Sequence, residues 1–130
     1  MRNNAYMVDQ VEQAKALGDE TRLRIFRVLA RTGERLCVCE LEAVLGKPQY
    51  AVSRALGILR KAELVNEERD GRLVKYGVSA ASDFARHLAA AASSIPCASS
   101  EVFSGDVAAA QKVLGSRVDG RPTEWCGCKG

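Results

Sequence analysis

No apolar run in this 130-residue chain approaches the roughly 20 residues that span a bilayer. The opening Met1-Arg2-Asn3-Asn4 lacks the apolar core of a secretory signal, so a cytoplasmic protein with no membrane partner is expected. Histidine occurs once, as His87, with no evident catalytic partner, and no nucleophile-plus-base arrangement is visible. No glycine-rich phosphate loop occurs either, so neither an enzyme nor a catalytic cofactor is expected. The net charge of +3 is too small to argue for nucleic acid by itself, and local clustering has to carry that argument. Five cysteines, an odd number in a reducing compartment, do not make a disulfide framework; ligand or redox roles remain beside simple burial as small hydrophobes.

With 47% apolar residues the chain can bury one core. Val8, Val11, Ala14 and Leu17 recur at helical spacing up to Gly18, and Asp19 suits the N-cap of a second helix over 20–31. That helix carries Leu23, Phe26 and Ala30 in line with Ile25, Val28 and Leu29 beside them, a stripe wide enough to be packed on more than one side. Its arginines, with Arg22, Arg24, Arg27, Arg31 and Arg35 circling the segment, are expected to be mostly solvated. A short helix with Cys39, Leu41, Val44 and Leu45 ends at Gly46, and Pro48 opens a longer one over about 48–62. Residues 64–69 and 72–79 alternate around Asp70-Gly71, a two-residue hairpin signal. Residues 81–95 form an alanine-rich helix with Phe84, Leu88, Ala91 and Ile95 on one stripe, suited to a subunit interface, and 100–114 a further amphipathic helix. From Gly115 onward a mobile tail is expected.

Helix, tight turn and helix followed by a hairpin is a winged helix-turn-helix, which reads a DNA major groove. The fold class expected is mainly α with a β-hairpin wing, dimeric, with residues 1–95 as the DNA-binding and dimerisation domain and 96–130 as a C-terminal extension. In the 48–62 helix, Val52, Ala55, Leu56 and Leu59 form the inner stripe. Gln49, Tyr50, Ser53 and Arg54 face away, toward base edges or phosphates of double-stranded operator DNA. Arg54 suits guanine and Gln49 adenine, and either could hold phosphate instead. Arg60 and Lys61 lie near the helix end, within reach of the DNA backbone. In the wing, Arg69, Arg72 and Lys75 are phosphate candidates, moderated by Glu67, Glu68 and Asp70.

Two thiols, Cys37 and Cys39, stand one residue apart at the mouth of the helix that precedes the reader. Successive helical residues are about 100° apart, so i and i+2 point to nearly opposite sides. Two sulfurs on one ion lie within roughly 4 Å of each other. Binding therefore has to unwind or bend the first turn, unless Cys37 already lies outside the helix. The tail repeats the spacing at Cys126 and Cys128, as further metal ligands or as incidental exposed thiols; Cys97 is a weaker candidate.

Residues 16–25, Leu36-Cys37-Val38-Cys39-Glu40-Leu41, Val52-Ser53-Arg54-Ala55-Leu56 and the Asp70-Gly71 wing with Val74-Lys75-Tyr76 together resemble the ArsR/SmtB family of metal-responsive repressors, over about residues 8–95. Closest are its arsenic repressors, whose metalloid site begins with Cys-Val-Cys here. The resemblance implies a homodimer that represses an arsenic-resistance operon and leaves DNA when the inducer As(III) or Sb(III) binds. The family's usual third thiol falls on Glu42, a hard carboxylate that suits As(III) poorly. Either the ligand set is completed elsewhere or the specificity differs. Asp83 and His87, at i and i+4, resemble half of a zinc site that some members build. Asp83 as a helix cap and His87 as a surface residue is the simpler account. Two other functions compete: a repressor that uses the thiols as a redox or persulfide switch, and a thiol-rich metal-sequestering protein with an idle helix-turn-helix.

Overall fold

A single helix with apolar residues on most of its circumference has to be covered on several sides, and the architecture follows from that need. The computed structural model describes residues 9–122. Its helices are α1 (Gln10–Ala16), α2 (Glu20–Thr32), α3 (Val38–Leu45), α4 (Gln49–Lys61), α5 (Asp83–Ser93), α6 (Glu101–Ser104) and α7 (Asp106–Gly115). Its strands are β1 (Leu36–Cys37), β2 (Val65–Asp70) and β3 (Leu73–Val78), in an antiparallel sheet of order β1-β3-β2. Asp19 caps α2 by accepting the Arg22 N–H at 3.0 Å. Ile25, Phe26, Val28 and Leu29 are then buried beneath α3, α4, α5, α7 and β3. The fold is a winged helix-turn-helix.

In α4 the inner stripe Val52, Ala55, Leu56 and Leu59 is buried, as its spacing predicts. Helix α3 stops at Gly46, whose φ of 68° is the left-handed conformation that closes a helix cheaply only without a Cβ, and α4 starts two residues later behind Pro48 as N-cap. The turn between them is thus short and fixed.

Several expectations change. Of the expected apolar stripe of the first helix, Val8 lies outside the described residues and Leu17 packs against the core, but Val11 and Ala14 are exposed, and α1 turns inward Ala16 and Gln13, whose side-chain amide donates to the Ala62 carbonyl at 3.0 Å. The wing turn is Gly71-Arg72 rather than Asp70-Gly71, because Asp70 pairs with Leu73 as the last rung and Gly71 supplies the positive φ of 66°. Ser82, not Asp83, caps α5 by accepting the Ala85 N–H at 3.1 Å. The continuous 100–114 helix is broken at Gly105 into α6 and α7, preceded by a 3-10 turn at Cys97–Ser99.

The largest correction concerns the arginines of α2. Arg27 is fully buried and Arg24 nearly so. Arg27 donates to the carbonyls of Ile95 (3.0 Å) and Phe103 (3.4 Å) and to Cys97 Sγ (3.3 Å), with its guanidinium 5.2 Å from the Phe103 ring centre. Arg24 forks onto Asp106 through two bonds of 2.9 Å and reaches the Leu45 carbonyl at 3.2 Å. The bonds to Asp106 hold its pKa above the ordinary arginine value, against the opposing effect of burial. The segment after Pro96 folds over α2 and supplies Cys97, Phe103 and Asp106 of these partners, while Ala110 of α7 enters the same core.

Asp106→Ala leaves Arg24 buried without its carboxylate. We expect a loss of about 3 kcal/mol or more in urea unfolding followed by circular dichroism; a change below about 0.5 kcal/mol would show that the pair contributes little.

Candidate functional site: a thiol pair beside a groove-reading helix

Leu36 and Cys37 pair with Tyr76 and Lys75 of β3, which keeps Cys37 in extended backbone (φ −88°, ψ 169°) as the residue before α3. Cys39 is already inside the helix. The two residues therefore do not obey helical spacing, and their Sγ atoms lie 3.1 Å apart, both buried. Of the two alternatives open from sequence, the one with Cys37 outside the helix holds, so no unwinding is needed to bring the sulfurs together.

Glu40 fixes this arrangement. Its Oε1 accepts the Cys37 N–H at 3.1 Å, the spacing of a helix-capping glutamate. The carboxylate is 3% exposed and is forked by Arg117, from Nε at 2.8 Å and from Nη2 at 2.7 Å. Nη2 also donates to the Arg35 carbonyl at 2.6 Å. Hydrogen bonding to Glu40 holds Arg117 above the ordinary arginine pKa; burial opposes it, and the charges of Glu40, Cys37 and Glu34 add to the rise. Neither residue was singled out from sequence. The Cys-x-x-Glu spacing was a usable signal for Glu40, whereas nothing local marks Arg117, whose partner is 77 positions away.

The expectation of a mobile tail from Gly115 onward fails as far as Pro122. Val118 and Arg121 form a small antiparallel bridge, Gly120 accepts from Lys75 Nζ at 2.8 Å, and Arg121 pairs with Asp70 at 2.9 Å. Lys75, expected at phosphate, is thus turned to the chain's own backbone and to Asp70 at 3.6 Å, with its side chain only 12% exposed. Cys126 and Cys128 lie outside the described residues. Cys39 is disulfide-bonded, while Cys37 and Cys97 keep their thiols. Glu42 is half-buried on α3, and among the described residues no cluster of three Cys, His, Asp or Glu side chains could hold a metal. His87 is exposed, its Nδ1 2.7 Å from the Asp83 carbonyl.

The exposed polar face of α4 is where its period puts it. Gln49, Tyr50, Ser53 and Arg54 are all exposed, with Tyr50 at 77%, and form one surface with Gly57. Arg60 and Lys61 are exposed at the C-terminal end; Arg60 lies 3.4 Å from Glu67 of the wing. Arg72 is exposed at the hairpin turn. The site is thus a sulfur pair at the start of one helix, joined by three residues to the exposed face of the next.

Residues 19–67 match the model of a family described as bacterial regulatory protein, arsR family. The arsenical resistance operon repressor of Escherichia coli K12 is 41% identical over 69 residues, 53% of this chain and 58% of that one. The match spans about half the length of the curated relatives. Among solved structures, the transcriptional repressor BigR from Xylella fastidiosa has a TM-score of 0.59 at 30% identity, covering 68% of this chain and 83% of that one. Reduced HlyU from Vibrio cholerae has 0.56 at 32%, covering 62% and 81%. The shared sequence is the stretch that builds α2, the thiol pair, α4 and the first wing strand, and with it the chain belongs to the arsR family of bacterial regulatory proteins.

Proposed function

We propose that the protein is a homodimeric transcriptional repressor of an arsenic-resistance operon, released from operator DNA when, once the Cys39 disulfide is reduced, As(III) or Sb(III) binds the thiolates of Cys37, Cys39 and a third cysteine. The observation that carries this reading is the buried Sγ pair 3.1 Å apart, within the separation of ~4 Å that two sulfurs on one ion require. Trivalent arsenic takes soft donors, and Glu42 is not one. The third sulfur comes from Cys126 or Cys128. Gly120 is bonded to Lys75, the cross-strand neighbour of Cys37, and the six residues from there to Cys126 can span up to about 20 Å.

Residues 1–95 form the DNA-binding and dimerisation part, and 96–130 the C-terminal extension, whose Arg117 reaches Glu40 beside the sulfurs. Exposed Val11 on α1 and Phe84 on α5 are apolar surface that a second copy would cover, placing two α4 helices in grooves about 34 Å apart. The inducer has only to bind one dimer shape better than the other. A coupling of ~1 to 3 kcal/mol weakens operator binding ~5- to 150-fold.

A second reading is favoured by one observation: Cys39 is in a disulfide, with the Cys37 sulfur 3.1 Å away. A peroxide-class oxidant takes two electrons from Cys39 and its partner thiol to form that disulfide; attack by the Cys37 thiolate on Cys39 would then form a Cys37–Cys39 bond and expel the former partner as thiolate, with no further change of oxidation state. The pair is then a redox switch. Similarity to a structure of reduced HlyU fits this reading as well. Operator release by peroxide alone, reversed by dithiothreitol and without a metalloid response, would select it. Failure to bind DNA at all would leave the metal-sequestering role.

In the full chain, Cys126→Ser with Cys128→Ser lowers arsenic coordination from three sulfurs to two by X-ray absorption; three retained sulfurs would refute the tail as donor. Arg54→Ala costs about 1 to 3 kcal/mol of operator affinity by fluorescence anisotropy if Arg54 reads a base, and an unchanged affinity would remove it from the reading face.

A further inference from the structure

The segment after α7 touches both halves of the regulatory machinery. At its near end Arg117 holds Glu40, the carboxylate that also receives the Cys37 N–H, and the Arg35 carbonyl. At its far end Gly120 accepts from Lys75, and Arg121 pairs with Asp70 at the tip of the wing. The guanidinium of Arg121 lies over the wing turn, 3.3 Å from where a Cβ on Gly71 would sit. Between the two ends, the Val118–Arg121 bridge makes a compact turn. Five residues, Arg117 to Arg121, therefore connect the thiol loop to the wing hairpin by hydrogen bonds at each end.

We propose that residues 116–121 are a strap that passes the state of the thiol pair to the wing, with Arg117 and Arg121 as its two positioning residues. This rests on the repressor reading above. Any ligand that draws Cys37 and Cys39 toward a new donor moves the Cys37 amide, and with it the carboxylate that Arg117 grips. Because that grip is two-pronged and buried, the carboxylate and Arg117 shift together rather than sliding. The displacement reaches Asp70 and Lys75 through a turn too short to absorb it. The Cys37–Lys75 strand pairing offers a parallel route. The strap adds to that route a contact at the wing tip, which the two rungs of β1 do not reach.

The test uses the full-length protein, As(III) as arsenite, and three measurements on each variant: thiolate-to-arsenic ultraviolet absorbance, operator affinity without arsenite, and operator affinity with it. Arg117→Ala strips a buried carboxylate of its counter-charge and disturbs the thiol loop itself, so Arg121→Ala decides. Its side chain is half-exposed and touches neither sulfur. We expect Arg121→Ala to bind arsenite as the wild type does and to bind the operator within about twofold. The arsenite-driven loss of operator affinity should shrink by about fivefold, the upper range for one exposed ion pair. A responsive wild type and an equally responsive Arg121→Ala would overturn the strap alone. A wild type that holds its operator in arsenite overturns the repressor reading and the strap's role together.

Discussion

One carboxylate decides the geometry around the thiol pair. Glu40 is almost wholly removed from water, so its charge has to be met by hydrogen bonds, and three donors meet it: the Cys37 amide and two nitrogens of Arg117. The first of these keeps Cys37 at the boundary between strand and helix. At that boundary a Cys-x-Cys pair, which a regular helix would splay apart, converges instead. The second set draws in a segment from the far end of the chain. A residue placed for helix capping thus determines both where the sulfurs sit and what closes over them.

The same logic of buried charge organises the other face of the molecule. Arg24 and Arg27 of α2 are buried because the segment after Pro96 brings Asp106 and the Phe103 carbonyl to meet them, beside the Ile95 carbonyl at the end of α5. The C-terminal extension is therefore anchored at three places, at α2 through these arginines, at α3 through Arg117 and at the wing through Gly120 and Arg121. The helix-turn-helix between them is left with its polar face, Gln49, Tyr50, Ser53 and Arg54, in solvent, and it is this face that the proposed function assigns to DNA.

Much of this was legible in the chain itself, where the signal is local. The stripe of Val52, Ala55, Leu56 and Leu59 and its opposite face follow from a period of 3.6 residues, and Gly46 marks the turn by its conformational freedom. What escaped was long-range. Nothing near Arg24 or Arg27 announces acceptors some 70 to 80 positions downstream, so their charge argued for solvent. The apolar residues of α1 gave the right helix and the wrong inner face, since periodicity locates a stripe without saying what covers it. The wing slipped by one residue because Asp70-Gly71 and Gly71-Arg72 both satisfy a two-residue turn, and cross-strand pairing chose the second. For the sulfurs, the geometric argument correctly isolated Cys37's position outside the helix as the deciding question, and tertiary pairing with β3 answers it.

The central claim is that the sulfur pair is arranged before any inducer arrives, so the response leaves α3 folded and appears elsewhere. Amide hydrogen exchange on the full-length protein, with and without arsenite, tests it most directly. The account predicts unchanged protection across Val38–Leu45 and altered protection in 65–78 and 116–121. Opening of the first turn of α3, with the wing and the 116–121 segment unaffected, would contradict it.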